Sequence, residues 1–228
     1  MPNTLYFGDN LDILRQHIEA ESVDLIYLDP PFNSSRSYNV LFRDESGVES
    51  EAQITAFEDT WHWNQGHYDD LVTHAPPHVS EMISAMKGFI GANQLMAYLV
   101  MMTDRLLELH RVLKSTGSLY LHCDPTASHY LKIILDTIFG VENFRNEIIW
   151  KRTSAHNDAK RKYADVSDSI LFYSKGSKFT FNVQYLPHSE AYLNDFYNRV
   201  DQDGRRYTLD NVTSPNPRPN LTYVWKGF

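Results

Sequence analysis

The chain has 228 residues, a formal charge of −8, 42% apolar and 13% aromatic content. That is enough apolar material for one packed α/β domain, and it excludes a disordered chain. A single cysteine, Cys123, excludes an internal disulfide framework, and no apolar run is long enough to span a bilayer, so a reducing, cytoplasmic setting without membrane attachment is expected.

Residues 4–7 (Thr-Leu-Tyr-Phe) read as a short strand ending at Gly8-Asp9-Asn10. Apolar residues then recur at 11, 14 and 18, the spacing of a helix, with Asp9 or Asn10 as its N-cap. Residues 23–28 are almost all apolar or aromatic and read as a strand buried on both faces of a parallel sheet. It stops at Asp29-Pro30-Pro31-Phe32-Asn33. Proline has no N–H for a ladder, and Pro30 holds Asp29 extended, so a stiff turn follows the strand's carboxyl end. Open α/β sheets place their ligands there. The turn offers a carboxylate, a carbonyl and a flat ring. Two acceptors can hold both hydrogens of an exocyclic amine, draw its nitrogen toward a tetrahedral geometry and free its lone pair, while the ring stacks on the heterocycle.

Residues 33–92 read as a long polar region, functional or carrying small helices of its own. It would close over a bound base, with Tyr38, Trp61 and Trp63 available for stacking. His62, His67, His74 and His78 match no ligand spacing, so no metal is expected. Residues 94–114 form a long helix with its apolar stripe at 95, 99, 102, 106, 109 and 113, its methionines in the core and Gly117 as terminator. Residues 118–123 repeat the pattern of strand, acid and proline, ending at Asp124-Pro125. His122 and Asp124 then lie on the ligand edge, either shaping a pocket or starting the next helix at 126–139, capped by Thr126 or Ser128 and closed by Gly140.

Residues 144–152 and 169–174 read as a strand pair, and 179–185 as one more strand. Between 144 and 182 eight basic side chains stand against four acidic ones in an otherwise acidic chain. Lys151, Arg152, Lys160, Arg161 and Lys162 suit phosphate contacts, or else form an ordinary solvated face. From Pro187 the chain is rich in Tyr, Asn and Pro, with neither repeat nor flexible linker.

Asp29-Pro30-Pro31-Phe32 after an apolar strand resembles the catalytic motif of the amino-methylating DNA methyltransferases, which act on N6 of adenine or N4 of cytosine. Gly8-Asp9-Asn10, residues 121–125, 144–152 and 170–173 agree with the family in order. The resemblance implies an incomplete Rossmann-like α/β sheet, mostly parallel, with an antiparallel hairpin near 145–174 and flanking helices. It implies a permuted order, with a catalytic half at 1–182 and the start of a target-recognition region at 183–228. It implies direct transfer from S-adenosylmethionine to a flipped base, with Asp29, Pro30, Pro31 and Phe32 catalytic. Asp9 and Asn10 would contact the cofactor, although Asp9 serves equally as a helix cap. Asn33, Tyr38, His122, Asp124 and the basic residues would meet base or DNA. Asp rather than Ser before the prolines favours adenine. Double-stranded DNA is the implied partner, with a restriction or second methyltransferase subunit beside it and the nucleoid as location. The family's aromatic-x-Gly-x-Gly cofactor loop has no counterpart, since no Gly-x-Gly occurs in these residues. An N-terminal portion of a longer enzyme, weak in cofactor binding by itself, is therefore expected.

Overall fold

A computed structural model describes residues 3–30, 37–39, 55–58, 61–154, 163–210, 219 and 223–224. The chain divides into two compact units, Met1–Phe181 and Asn182–Phe228.

The first unit opens with helix α1 (Asn10–His17), whose N-cap Asp9 accepts from the Leu11 N–H at 2.8 Å. Strand β1 (Val23–Leu28) follows, then a small antiparallel ladder of β2 (Ser37–Asn39) with β3 (Thr55–Glu58). Helices α2 (Gln65–His74), α3 (Pro77–Ile90) and α4 (Gln94–Val112) come next. Strand β4 (Leu113–Cys123) continues directly from α4, and helix α5 (Ser128–Phe139) leads into strands β5 (Phe144–Lys151) and β6 (Ser167–Ser174). The sheet order is β1-β4-β6-β5. The β1/β4 ladder is parallel, and β6 runs antiparallel to both its neighbours, so β1, β4 and β5 point one way and β6 alone runs against them.

Alternation sorts the side chains of this sheet onto two faces. Ile26, Leu119, Leu121, Cys123, Leu171 and Tyr173 belong to one core with α3, α4 and α5. Nine residues of α4 are buried there; of the predicted stripe Leu99, Met102, Leu106 and Leu109 are among them, whereas Leu95 is only partly buried and Met96 is buried beside it. On the opposite face Tyr120 stacks on Phe172 at 4.4 Å between centroids, and Phe179 and Phe181 cover Phe172.

Several sequence expectations are corrected. Residues 4–7 form no strand, and Leu5 and Phe7 are exposed; a strand needs a ladder partner, and none of the described strands supplies one. β1 is not buried on both faces. Among the described strands only β4 pairs with it, and Leu25 and Tyr27, on the face away from the core, are each 59% exposed. Gly117 does not terminate α4. It lies inside β4, where the register against β1 shifts, and a Cβ there would meet the Leu113 side chain at 2.7 Å and the Asp24 carbonyl at 3.0 Å. Neither Thr126 nor Ser128 caps α5; the Asp124 carboxylate accepts from the Ala127 N–H at 3.1 Å instead. Residues 179–185 are not a strand, their rings being used to cover Phe172. The region 33–92 carries substantial helices: Pro77 opens α3, and Val79, Ile83 and Met86 are buried at helical spacing.

The second unit holds helix α6 (Glu190–Phe196), capped by Ser189, and a hairpin of β7 (Arg199–Val200) with β8 (Arg206–Tyr207). His188, Tyr192, Phe196 and Tyr197 form a ring cluster of their own. Among the described residues no helix is long and apolar enough to cross a membrane.

Candidate active site

The carboxyl end of β1 opens on a cleft of about 370 Å³, a size that suits a nucleoside-sized ligand. Asp29 and Pro30 line it beside Leu28, with Gly8, Asp9 and Asn10 opposite and Trp61, Met101, Met102 and Arg105 completing the wall. The Asp29 side chain is 57% exposed, whereas Pro30 is buried. The parallel β1/β4 register, ending at Leu28↔Leu121, brings Asp29 beside His122. His122 Nδ1 lies 3.0 Å from Asp29 Oδ1, and its Nε2 lies 3.4 Å from Asp168 Oδ2. Asp168 is 3% exposed and also faces Arg152 Nη1 at 3.1 Å.

Asp9 and Asn10 enter the cleft already tethered. Arg105 on α4 donates to both Asp9 oxygens at 2.8 and 2.9 Å and to the Asn10 side-chain oxygen at 2.7 Å. Asp9 therefore caps α1, pairs with Arg105 and still borders the cleft. Gly8, just before it, adopts φ +142°, a conformation that needs glycine. Trp61, Met101, Asp9 and Arg105 are shared with an adjoining hollow of about 430 Å³, which Arg15, Asp70 and Asp104 also line. Burial raises the Asp104 carboxyl above the usual carboxylate range, opposed by Arg15 at 2.7 Å.

Asp29, Pro30, Asp9 and Asn10 meet at this cleft. Asp124 is not among its described lining residues, and its carboxylate serves the start of α5. Arg152 has a partner in Asp168, and Lys151 is exposed at the end of β5. Pro31, Phe32, Asn33, Lys160, Arg161 and Lys162 lie outside the described residues, as does the side chain of Tyr38. Cys123 is fully buried, and burial pushes its thiol up to about 12, so it holds no thiolate at neutral pH.

Three contributors escaped the sequence reading. Asp168 had a local signal, an acid within an otherwise apolar strand. Met101 was assigned to the core with the other methionines, yet it lines the cleft. Arg105 had no signal, because its partners are 95 and 96 residues away.

The chemistry on offer is hydrogen-bond acceptance at the mouth of an apolar-floored cleft. The wall formed by Gly8, Asp9, Asn10 and Met101 fits one side of a purine nucleoside. The glycine-rich turn that would cradle the rest of S-adenosylmethionine has no counterpart among these residues, so they fit that cofactor in part. Among the described residues no group of three or more His, Cys, Asp or Glu side chains is placed to hold a metal.

A family model described as DNA methylase, covering N6 and N4 methylases, matches residues 23–225. The chain is 29% identical over 230 residues to the type II methyltransferase M.EcaI of Enterobacter cloacae, covering 100% of this chain and 41% of that protein. It is 27% identical over 197 residues to the StyLTI Mod subunit, a type III restriction-modification enzyme of Salmonella typhimurium, covering 86% of this chain and 27% of that one. The chain thus spans less than half the length of these curated relatives. The solved PvuII DNA methyltransferase, titled cytosine-N4-specific, aligns with a TM-score of 0.44 and 13% identity over 95% of this chain and 59% of its own.

Proposed function

This chain belongs to the DNA methylase family, and on that premise we propose that it carries the catalytic carboxylate of an N6-adenine DNA methyltransferase. The observation that carries the reading is the position of Asp29, exposed at a nucleoside-sized cleft beyond the carboxyl end of β1. S-adenosylmethionine, when bound, supplies an electrophilic methyl group. The chain's own part is to hold the acceptor. The Asp29 carboxylate and the Pro30 carbonyl accept the two hydrogens of the flipped adenine's amine and stabilise the positive charge that develops on its nitrogen. Phe32 stacks on the base. No covalent intermediate is needed, in keeping with a Cys123 thiol held protonated. Double-stranded DNA is the substrate, bound in part through Lys151 and the basic residues after it, and a restriction subunit is the partner in kind.

Among the described residues no strand pairs with the far edge of β1, and this supports a second part of this reading. Further strands beyond those described here complete the sheet and bring the glycine-rich turn to the cleft. These 228 residues alone then bind S-adenosylmethionine weakly; micromolar affinity by isothermal titration calorimetry would overturn that.

The test is methyl transfer to duplex DNA by the complete gene product, with mass spectrometry of the nucleosides. N6-methyladenine is expected, and Asp29→Ala lowers its formation by about 10³-fold or more while cofactor binding stays. N4-methylcytosine as product would reassign the base, and an unchanged rate in Asp29→Ala would refute the mechanism.

A further inference from the structure

Four side chains, in or just past the four strands of the sheet, meet neighbour to neighbour in strand order, starting from Asp29 at the cleft. Asp29 follows β1, His122 lies in β4, Asp168 in β6, and Arg152 follows β5. The successive separations are 3.0, 3.4 and 3.1 Å. The registers His122↔Ile170 and Trp150↔Asp168, with the alternation of strands, set His122 and Asp168 on one face as diagonal neighbours. The line runs inward from an Asp29 side chain 57% exposed, through His122 at 15%, to Asp168 at 3%.

We propose that His122, held by the Asp168–Arg152 pair, is the positioning residue for the Asp29 carboxylate; this rests on the methyltransferase reading above. A carboxylate is an acceptor only, so for both to hold the ring each nitrogen must donate: Nδ1–H toward Asp29 Oδ1 at 3.0 Å and Nε2–H toward Asp168 Oδ2 at 3.4 Å. The terminal torsion of an exposed aspartate is broad and two-fold. Anchoring one oxygen fixes the plane of the group and commits the second oxygen to the target amine. His122 itself is steadied from behind. A carboxylate buried as deeply as Asp168 is costly without paired charge, and Arg152 supplies it at 3.1 Å. Such a pair adds little to stability compared with apolar packing, so its use is orientation.

The same line offers a proton no onward exit past Asp168. Arg152 ends it with a guanidinium that does not deprotonate in proteins. In the reaction the N–C bond forms as the S–C bond breaks, the electron pair of that bond stays on sulfur, and the amine nitrogen sheds one proton. That proton leaves through the solvent side of Asp29.

The experiment is single-turnover methylation of a DNA duplex by the complete gene product, with KM for DNA, the Kd of S-adenosylmethionine and thermal melting measured in parallel. In His122→Ala the chemical rate falls roughly 10- to 100-fold, the size expected of a misplaced catalytic group, while KM and Kd stay within about threefold. His122→Asn, whose amide N–H stands near the Nδ1 position, recovers most of the rate. Asp168→Asn gives a smaller fall. A His122→Ala rate within about twofold of wild type, or a His122→Asn no better than the alanine variant at equal melting temperature, overturns the proposal while leaving the methylase reading intact. A wild-type protein that methylates neither adenine nor cytosine overturns both.

Discussion

The two faces of the sheet are built to different standards. On one, Leu119, Leu121 and Cys123 of β4 and Tyr173 of β6 are fully buried under α4 and α5. On the other, the described residues cover the middle, with Phe179 and Phe181 over Phe172, and leave Tyr27 of β1 at 59% and Trp150 of β5 at 57% exposed. Stability is concentrated on the first face. The line from Asp29 to Arg152 runs across the strand ends by way of the second. A helix-backed layer thus holds this line of polar groups on its other side.

Core truncation is the strongest way to break this contrast. Leu121→Ala should cost about 2–5 kcal/mol in a denaturant melt, whereas Tyr27→Ala at the exposed edge should change stability by no more than about 0.5 kcal/mol. Equal losses at both sites would mean that the bare face is covered in solution. Gly117→Ala tests the seam between β1 and β4, since its Cβ would press on the Leu113 side chain and the Asp24 carbonyl. A loss of about 1–3 kcal/mol is expected, and a neutral result would show that the seam gives way freely. Tyr173→Phe removes the hydroxyl that donates to Asp136 at 2.7 Å, with the Lys132 carbonyl at 3.5 Å, and should cost about 1 kcal/mol. Lys132 remains to pair with that carboxylate.

The smallest effect concerns pH. Burial, helped by Lys175, lowers the pKa of His110, which packs edge-on against Phe139 at 4.8 Å. A histidine depressed in the fold contributes stability that is present above its unfolded value, about 6.5, and lost as pH falls through the folded value. Acid melts should therefore show stability falling as the pH drops from about 6.5 toward the folded value. His110→Phe should flatten that part of the profile; an unaltered profile would clear this residue.

The local signals were read well where one segment carries its own pattern. The apolar stripe of α4, the β1 run with its Asp-Pro stop and the hairpin of β5 with β6 were all legible. So is the spacing 79, 83, 86 of α3, inside a stretch of otherwise polar composition. Residues 4–7 and 179–185 have strand composition and no ladder, because composition does not supply a partner. Gly117 looked like a helix stop and serves instead as the point where β1 comes closest to β4.

Sequence alone determined that an acid and a proline end an apolar strand, and with it the kind of chemistry this chain can support. That information is carried by adjacent residues, and backbone sterics act between neighbours. Tertiary structure decided the company that acid keeps. His122 reaches it from β4, backed by Asp168 of β6 and by Arg152 just past β5, and Arg105 ties Asp9 to a distant helix. Such contacts depend on sheet order and register, which are settled only when the whole layer packs.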